Sequence, residues 1–478
     1  MKTQIVSLNR GSAGFKSCKN LLDRVEKNDP SLVELVILPM KNFGDEDLKR
    51  LSEIIESGKN NNLKSISASG HRVSPESLLL LGKALASENG RYITKVAIGD
   101  EHMMDEGVIS FCKPLIQVNG GNIEELDLAY KNITKVGAKI IGEAFGGSKC
   151  MKRLELYRNP DMGDEGITDL CHAAIARTGS SLCFENIEYL DISECQITGN
   201  GMKAFADCLT NGESSENVRS SALELQVSKN DIGPEGCKHI SKLLSNQDGR
   251  SSIISRLSMK KCVLGDEGFE ILVNAFEEDC SRLLFVDISE NEIGAKGALH
   301  VSEALTANSR NIKSLGEVIL ANNPLEEEGI LKLAKSIRKE ENAIHTLDLS
   351  GTKCGVNGAV EILQCPNLKS IRLFNNNLSC DGFEAITPLF IGGHATIEHL
   401  DLGGNRAKES AVATLLHAIM MDVDSVESKL ATLEIGGNEV GEIVEEILRQ
   451  METTHPEIDI ARDRPSVEQR NDFGEEKA

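Results

Sequence analysis

The sequence predicts an α/β solenoid in which parallel strands and helices alternate along 478 residues, built from about fourteen copies of one unit. Three observations carry that prediction. A short string, apolar-x-x-apolar-x-apolar-x-x-Asn-x-apolar, recurs at intervals of roughly 30 residues. Glycine and then apolar residues at helical spacing follow it in copy after copy. The length alone would allow about two to four domains, yet a solenoid grows by adding neighbours, so one long array is expected.

The units start at Val33, Leu63, Ile93, Ile123, Met151, Ile187, Ala222, Ile254, Leu283, Leu315, Ile344, Leu368, Ile397 and Leu430. Clear copies are Leu283-x-x-Val286-x-Ile288-x-x-Asn291 and Leu368-x-x-Ile371-x-Leu373-x-x-Asn376. The apolar alternation puts two side chains on one face of a short strand, and successive strands then pair in parallel. The Asn closes the strand, since its amide can satisfy buried backbone groups of its own and adjacent turns. Asn159, Asn230, Asn291, Asn323, Asn376, Asn405 and Asn438 fill that position. Gly-Asp-Glu-Gly at 163–166 and 265–268 reads as a helix start, with acids in the first turn where the dipole favours them. A calcium loop needs alternating oxygen ligands, which this string lacks. The helical stripe follows, as in Met202, Phe205, Cys208 and Leu209.

Residues 1–32 are expected to form a capping half-repeat, with Val6, Leu8, Phe15, Cys18, Leu21 and Leu22 as its apolar positions. Residues 33–460 form the solenoid, and 461–478, nearly free of apolar residues, form a disordered tail. In the first four units the Asn position holds Lys41, His71, Glu101 and Lys131, which reads as looser terminal repeats. Polar insertions at 179–185, 211–221, 246–252 and 422–428 read as surface loops.

The net charge of -22 argues against nucleic acid or an anionic membrane as partner, because both require a basic stripe. Thirteen scattered cysteines, with no C-x-x-C pair and no zinc spacing, read as reduced core thiols. With no secretory signal and no membrane span, the expected compartment is cytoplasmic or nuclear. No phosphate loop, nucleophile elbow or His-Glu-x-x-His string occurs, and no cofactor, metal or catalytic residue is assigned.

The long unit with a true helix after each strand resembles the ribonuclease-inhibitor-like subclass of leucine-rich repeats over nearly the whole chain. The resemblance implies a horseshoe with strands on the concave face, helices on the convex face, and binding of a protein partner on the strand side. The regular alternation of repeat lengths and the heavy cysteine and tryptophan use of the ribonuclease inhibitors themselves are missing, and this chain has no Trp. Ran GTPase-activating proteins share the repeat type. Gly70-His71-Arg72-Val73 resembles their arginine-bearing segment, and Asn159 within Tyr157-Arg158-Asn159-Pro160 resembles their functional asparagine. A small GTPase is therefore the alternative partner, although the acidic tail of that family is absent.

Outward positions between the inward leucines line the strand face. Three of the four tyrosines, Tyr130, Tyr157 and Tyr189, fall there in adjacent units, with Arg153, Glu155 and Arg158 beside them. Tyrosine and arginine bring large contact area and a polar tip at low entropic cost, so these six are the expected partner-binding residues of a non-enzymatic interaction scaffold. Arg256, Lys260 and Lys261 form a second, basic patch, and Arg372 with Phe374 a third.

Overall fold

The computed structural model describes residues 18–178, 183–210, 222–244, 252–276, 282–300, 314–338, 343–391, 397–423 and 430–462. Of the expected polar insertions, 179–185, 246–252 and 422–428 lie mostly outside them and 211–221 lies wholly outside, as do residues 1–17 and 463–478. The chain divides into two compact units, the first running to Cys195 and the second starting at Gln196.

Six strands belong to the first unit: β1 (Glu34–Val36), β2 (Ser65–Ser69), β3 (Lys95–Gly99), β4 (Glu125–Asp127), β5 (Arg153–Glu155) and β6 (Tyr189–Asp191). Each pairs in parallel with its sequence neighbours, and Leu35, Ile66, Val96, Leu126, Leu154 and Leu190 stand in one register row, all buried. The second unit continues the pattern with β7 (Leu223–Gln226), β8 (Ile254–Ser258), β9 (Phe285–Asp287), β10 (Glu317–Ile319), β11 (Thr346–Asp348), β12 (Ser370–Arg372), β13 (His399–Asp401), β14 (Thr432–Glu434) and β15 (Asp459–Ala461). This is a leucine-rich repeat solenoid. Parallel pairing demands a crossover, and the helix after each strand supplies it on one side of the sheet, leaving the other side open.

The Asn ladder holds the strand exits together. Asn323 donates through Nδ2 to Leu320 O and to Ile288 O of the preceding repeat, both at 2.9 Å, while its Oδ1 accepts Asn291 N–H at 2.9 Å and Ile293 N–H at 3.1 Å. Asn405 and Asn438, after β13 and β14, repeat the same four bonds. Where cysteine replaces Asn, the thiol takes the donor half of the role: Cys195 Sγ lies 3.2 Å from Leu156 O, and Cys262 Sγ 3.3 Å from Val227 O. Burial pushes both thiols up to about 12, so they keep the proton they donate.

A second ladder joins the helix starts. Asp266 lies in the first turn of the helix Gly265–Phe276, yet its Oδ1 accepts Gly294 N–H at 2.8 Å and Gly297 N–H at 2.9 Å where the next helix begins. Asp105 does the same for Thr134 and Gly137. The acids that the dipole argument placed in the first turn therefore also satisfy orphan N–H groups one repeat further on. Neighbouring helices approach closely through small residues: a Cβ at Gly142 would stand 2.2 Å from Leu170 O. Gly142→Val is accordingly expected to lower the melting temperature by several degrees, through overpacking of about 2 kcal/mol.

Three expectations need correction. The first unit starts one residue earlier than Val33, because Leu35 pairs with Ile66 and is buried with Ile37, while Val33, Val36 and Leu38 are exposed. A one-residue slip exchanges the two faces, so Met40 rather than Lys41 occupies the ladder position. His71 and Lys131 are not signs of loose repeats, since both are buried and bonded. His71 Nε2 lies 3.1 Å from Ile37 O, and Lys131 Nζ donates to Ala129 O at 2.7 Å and Ser69 Oγ at 2.9 Å. At the far end Ala461 belongs to β15, and Arg462 pairs with Glu445 and Glu452, so neither belongs to a disordered tail.

Candidate functional site

The open face of β4 to β6 carries two register rows. Glu125, Arg153 and Tyr189 form one, and Asp127, Glu155 and Asp191 the other. Strand pairing brings adjacent members of a row about 4.8 Å apart. Arg153 uses that proximity twice: its guanidinium lies 3.4 Å from the centroid of the Tyr189 ring, and its Nε donates to Glu155 Oε1 at 2.6 Å. The stacked arginine and the ring fix each other's rotamers at the strand entrance.

Tyr130, Tyr157 and Arg158 do not lie on strands as the repeat pattern suggested. They occupy the turns after β4 and β5, with Tyr130 and Arg158 in left-handed backbone at φ 59° and 57°. The turns continue the ladder between strands, with Tyr130 N–H bonded to Tyr157 O and Arg158 N–H to Ser193 O. This places a second cluster at the strand exit. Tyr130 and Tyr157 meet edge to face with centroids 5.3 Å apart, Arg158 stands over the Tyr130 ring at 4.6 Å, and Arg158 Nη1 donates to the Tyr130 hydroxyl.

Glu194 completes the cluster, although its residue type alone does not single it out. Its Oε1 accepts the Tyr157 hydroxyl at 3.1 Å and its Oε2 faces Arg158 Nε at 3.5 Å. It occupies the same left-handed turn position as Tyr130 and Arg158, at φ 53°. Repeat register was the signal that would have found it, because the three residues precede the ladder position in consecutive units. Arg158 thus stands between an aromatic hydroxyl and a carboxylate, and the side chains of the cluster are bonded to one another without a partner.

Between the clusters runs the acidic row. Asp127 accepts Ala129 N–H at 2.8 Å and Asp191 accepts Ser193 N–H at 2.9 Å, so both also close their strands. Burial raises the carboxyls of Glu155 and Asp191 above their ordinary range. Burial, with Tyr130 and Glu194 alongside, likewise raises the Tyr157 hydroxyl. Tyr157 therefore stays a proton donor throughout the physiological range.

The second and third patches are less basic than their sequence suggests. Arg256 faces Glu224 at 3.8 Å and Glu317 at 3.7 Å and stacks over Phe285 at 4.2 Å, while Lys260 pairs with Glu290 at 3.0 Å. Lys261 remains exposed in the following turn. Arg372 pairs with Asp348 at 3.5 Å, and Phe374 lies against the glycine turn of the next repeat, where a Cβ at Gly404 would come within 2.7 Å of its ring. Arg256, Lys260 and Arg372 thus offset the charge of acids in neighbouring repeats.

Asn159 is fully buried, and all its polar capacity goes to the ladder: Nδ2 to Leu128 O and Leu156 O, Oδ1 from Lys131 N–H and Ile133 N–H. It offers no atom to a GTPase, so only Arg72, exposed in the turn after β2, is left of that pair. Among the described residues no group of His, Cys, Asp or Glu could hold a metal ion, and no helix is long and apolar enough to cross a membrane.

Comparison with known proteins gives a consistent picture. A family profile described as "Leucine Rich repeat" matches residues 185–206 and 223–241. The ribonuclease inhibitor of Mus musculus is 23% identical over 323 residues, which cover 61% of this chain and 66% of that protein. The ribonuclease inhibitor of Sus scrofa is 22% identical over 395 residues, 76% of this chain and 80% of that one. NACHT, LRR and PYD domains-containing protein 14 of Homo sapiens is 23% identical over 335 residues, 59% of this chain but only 29% of the human protein.

Proposed function

We infer that this chain, a leucine-rich repeat protein of the ribonuclease-inhibitor-like subclass, is a non-enzymatic scaffold that binds a protein partner on the open strand face of its first unit. The observation that carries the reading is the mutually bonded cluster of Tyr130, Tyr157, Arg158 and Glu194, set beside the Arg153 and Tyr189 stack. Packing does not require these residues: Tyr130 and Arg158 are exposed at positions where the other repeats carry Lys, Glu, Asp, Asn, Gly or Pro. Interface energy concentrates in Tyr and Arg side chains whose rotamers are fixed in advance, because little entropy remains to be lost on docking. The names of the ribonuclease inhibitors support a protein as the bound species. The twelve cysteines of the described residues are all free thiols, which supports a reducing, cytoplasmic setting.

The test is affinity capture of partners by the intact protein and by Tyr157→Ala/Arg158→Ala, followed by titration of the captured partner. Loss of two anchors is expected to weaken binding by about 2 kcal/mol or more each. Neither residue is a core side chain, so the melting temperature should change little. Equal affinity for both proteins would move the binding face elsewhere.

A further inference from the structure

One register row crosses the whole open face of the first unit: Val36, Ser67, Ala97, Asp127, Glu155 and Asp191, one residue from each of β1 to β6. Its chemistry changes along its length. At the β1 end Val36 is 51% exposed, with Leu38 at 44% and Met40 at 62% beside it. Large apolar side chains so exposed within five residues of one another are costly on a soluble surface and mark a place that another surface covers. The next two positions, Ser67 and Ala97, are small and uncharged. The last three are carboxylates: Glu155 accepts from Arg153, and the buried Lys131 ammonium stands near Asp127 but is shared with Asp100 and Glu101. Burial already raises two of those carboxyls.

We propose that this face is a two-part docking surface for an extended protein segment that carries an apolar anchor at one end and basic residues at the other. The proposal rests on the reading that this face binds a protein, and it specifies that protein's chemistry. Charge complementarity selects the occupant: a Lys or Arg laid over Asp127, Glu155 and Asp191 would neutralise carboxylates that the fold holds without enough cations. Geometry sets the spacing. Three strand intervals of about 4.8 Å separate the Val36 column from Asp127, the first carboxylate, a distance spanned by about four extended residues. Small Ser67 and Ala97 leave the middle of the row free for the segment's backbone, and the Tyr130 and Tyr157 cluster borders the acidic end.

The full chain is used as bait for phage-displayed random peptides of about twelve residues, long enough to cross all six strands. The expected enrichment is an apolar residue followed, about four residues on, by Lys or Arg. One enriched peptide, synthesised with a fluorophore, is then titrated by anisotropy. Val36→Ser/Leu38→Ser/Met40→Ser should weaken it about tenfold at every salt concentration. Asp127→Asn/Glu155→Gln, in which the Asn retains the acceptor for Ala129 N–H, should weaken it about tenfold at low salt and flatten its salt dependence. Thermal melts establish that each variant folds, with the single substitutions Val36→Ser and Met40→Ser used if the triple variant does not.

Enrichment of another pattern, or of none, overturns the proposal, as does a peptide indifferent to both sets of substitutions. If that indifferent peptide is still lost on Tyr157→Ala/Arg158→Ala, the face binds protein and only the two-part surface fails. If it survives all the variants, the wider reading fails as well. A concentration-dependent dimer abolished by the triple variant would assign the apolar strip to a second copy and likewise overturn the proposal.

Discussion

Asn291→Ala is expected to destabilise the second unit by about 3–5 kcal/mol, well beyond an ordinary substitution. The side chain is fully buried. Its Nδ2 donates to Met259 O at 2.7 Å and Ile288 O at 2.9 Å, and its Oδ1 accepts Cys262 N–H at 2.7 Å and Leu264 N–H at 3.4 Å. Alanine leaves Met259 O, Cys262 N–H and Leu264 N–H without partners, while Ile288 O keeps Asn323 Nδ2, and each such lost group costs about 1–3 kcal/mol, less whatever the turn recovers by relaxing. Urea melts should show a lower midpoint and a broadened transition, because weakening one interface of a repeat array uncouples the repeats on either side. Asn291→Cys provides an internal control. The neighbouring Cys262 shows that a buried thiol serves the carbonyl side of the ladder, so cysteine should recover part of the loss but not the acceptor half. A melt of Asn291→Ala that overlays the parent's would show that the ladder satisfies the turns without holding the repeats together.

The ladder was legible in the sequence because its geometry is local: Asn stands three residues after a buried apolar residue, and each repeat restates the rule. Register failed only in the first repeat. There Leu32, Leu35 and Ile37 compete with Val33, Val36 and Leu38, and both sets satisfy the same apolar spacing. A strand read by alternation cannot choose between two apolar faces, whereas pairing of Leu35 with Ile66 can. That ambiguity is informative in retrospect, since the second set is the exposed strip on the open face. The site was legible in part for a related reason. Tyr130, Tyr157, Arg158 and Tyr189 stand out by residue type, but what Arg256 or Glu194 does depends on side chains one or two repeats away. Glu317 lies 61 positions beyond Arg256, and no local pattern announces that the two meet.

Lys131→Ala is expected to cost the first unit about 3 kcal/mol, through the cavity left by a buried aliphatic stem and the loss of two hydrogen bonds. Lys131 is 1% exposed in a ladder position. Its backbone N–H is served by Asn159 Oδ1, while its ammonium reaches past the third repeat, where Glu101 points to solvent, to Ser69 Oγ of the second. One long side chain thus replaces the missing amides of two turns. Lys131→Met keeps most of the volume and removes only the donor, so it should cost less than half as much as alanine; the difference isolates packing from charge. The pH dependence separates them further. Burial lowers the Lys131 pKa below its ordinary value near 10.5, so between the folded and unfolded pKa values the unfolded chain holds more protons than the folded one. Stability contributed by this group is therefore fully present above the unfolded value and is lost as pH falls through the folded one. Relative to Lys131→Met, the parent should gain stability as pH rises toward 10.5 and show a constant difference below the depressed pKa. Parallel stability curves across that window would mean that the buried ammonium keeps its proton in full, held by Asp127, Asp100 and Glu101 nearby.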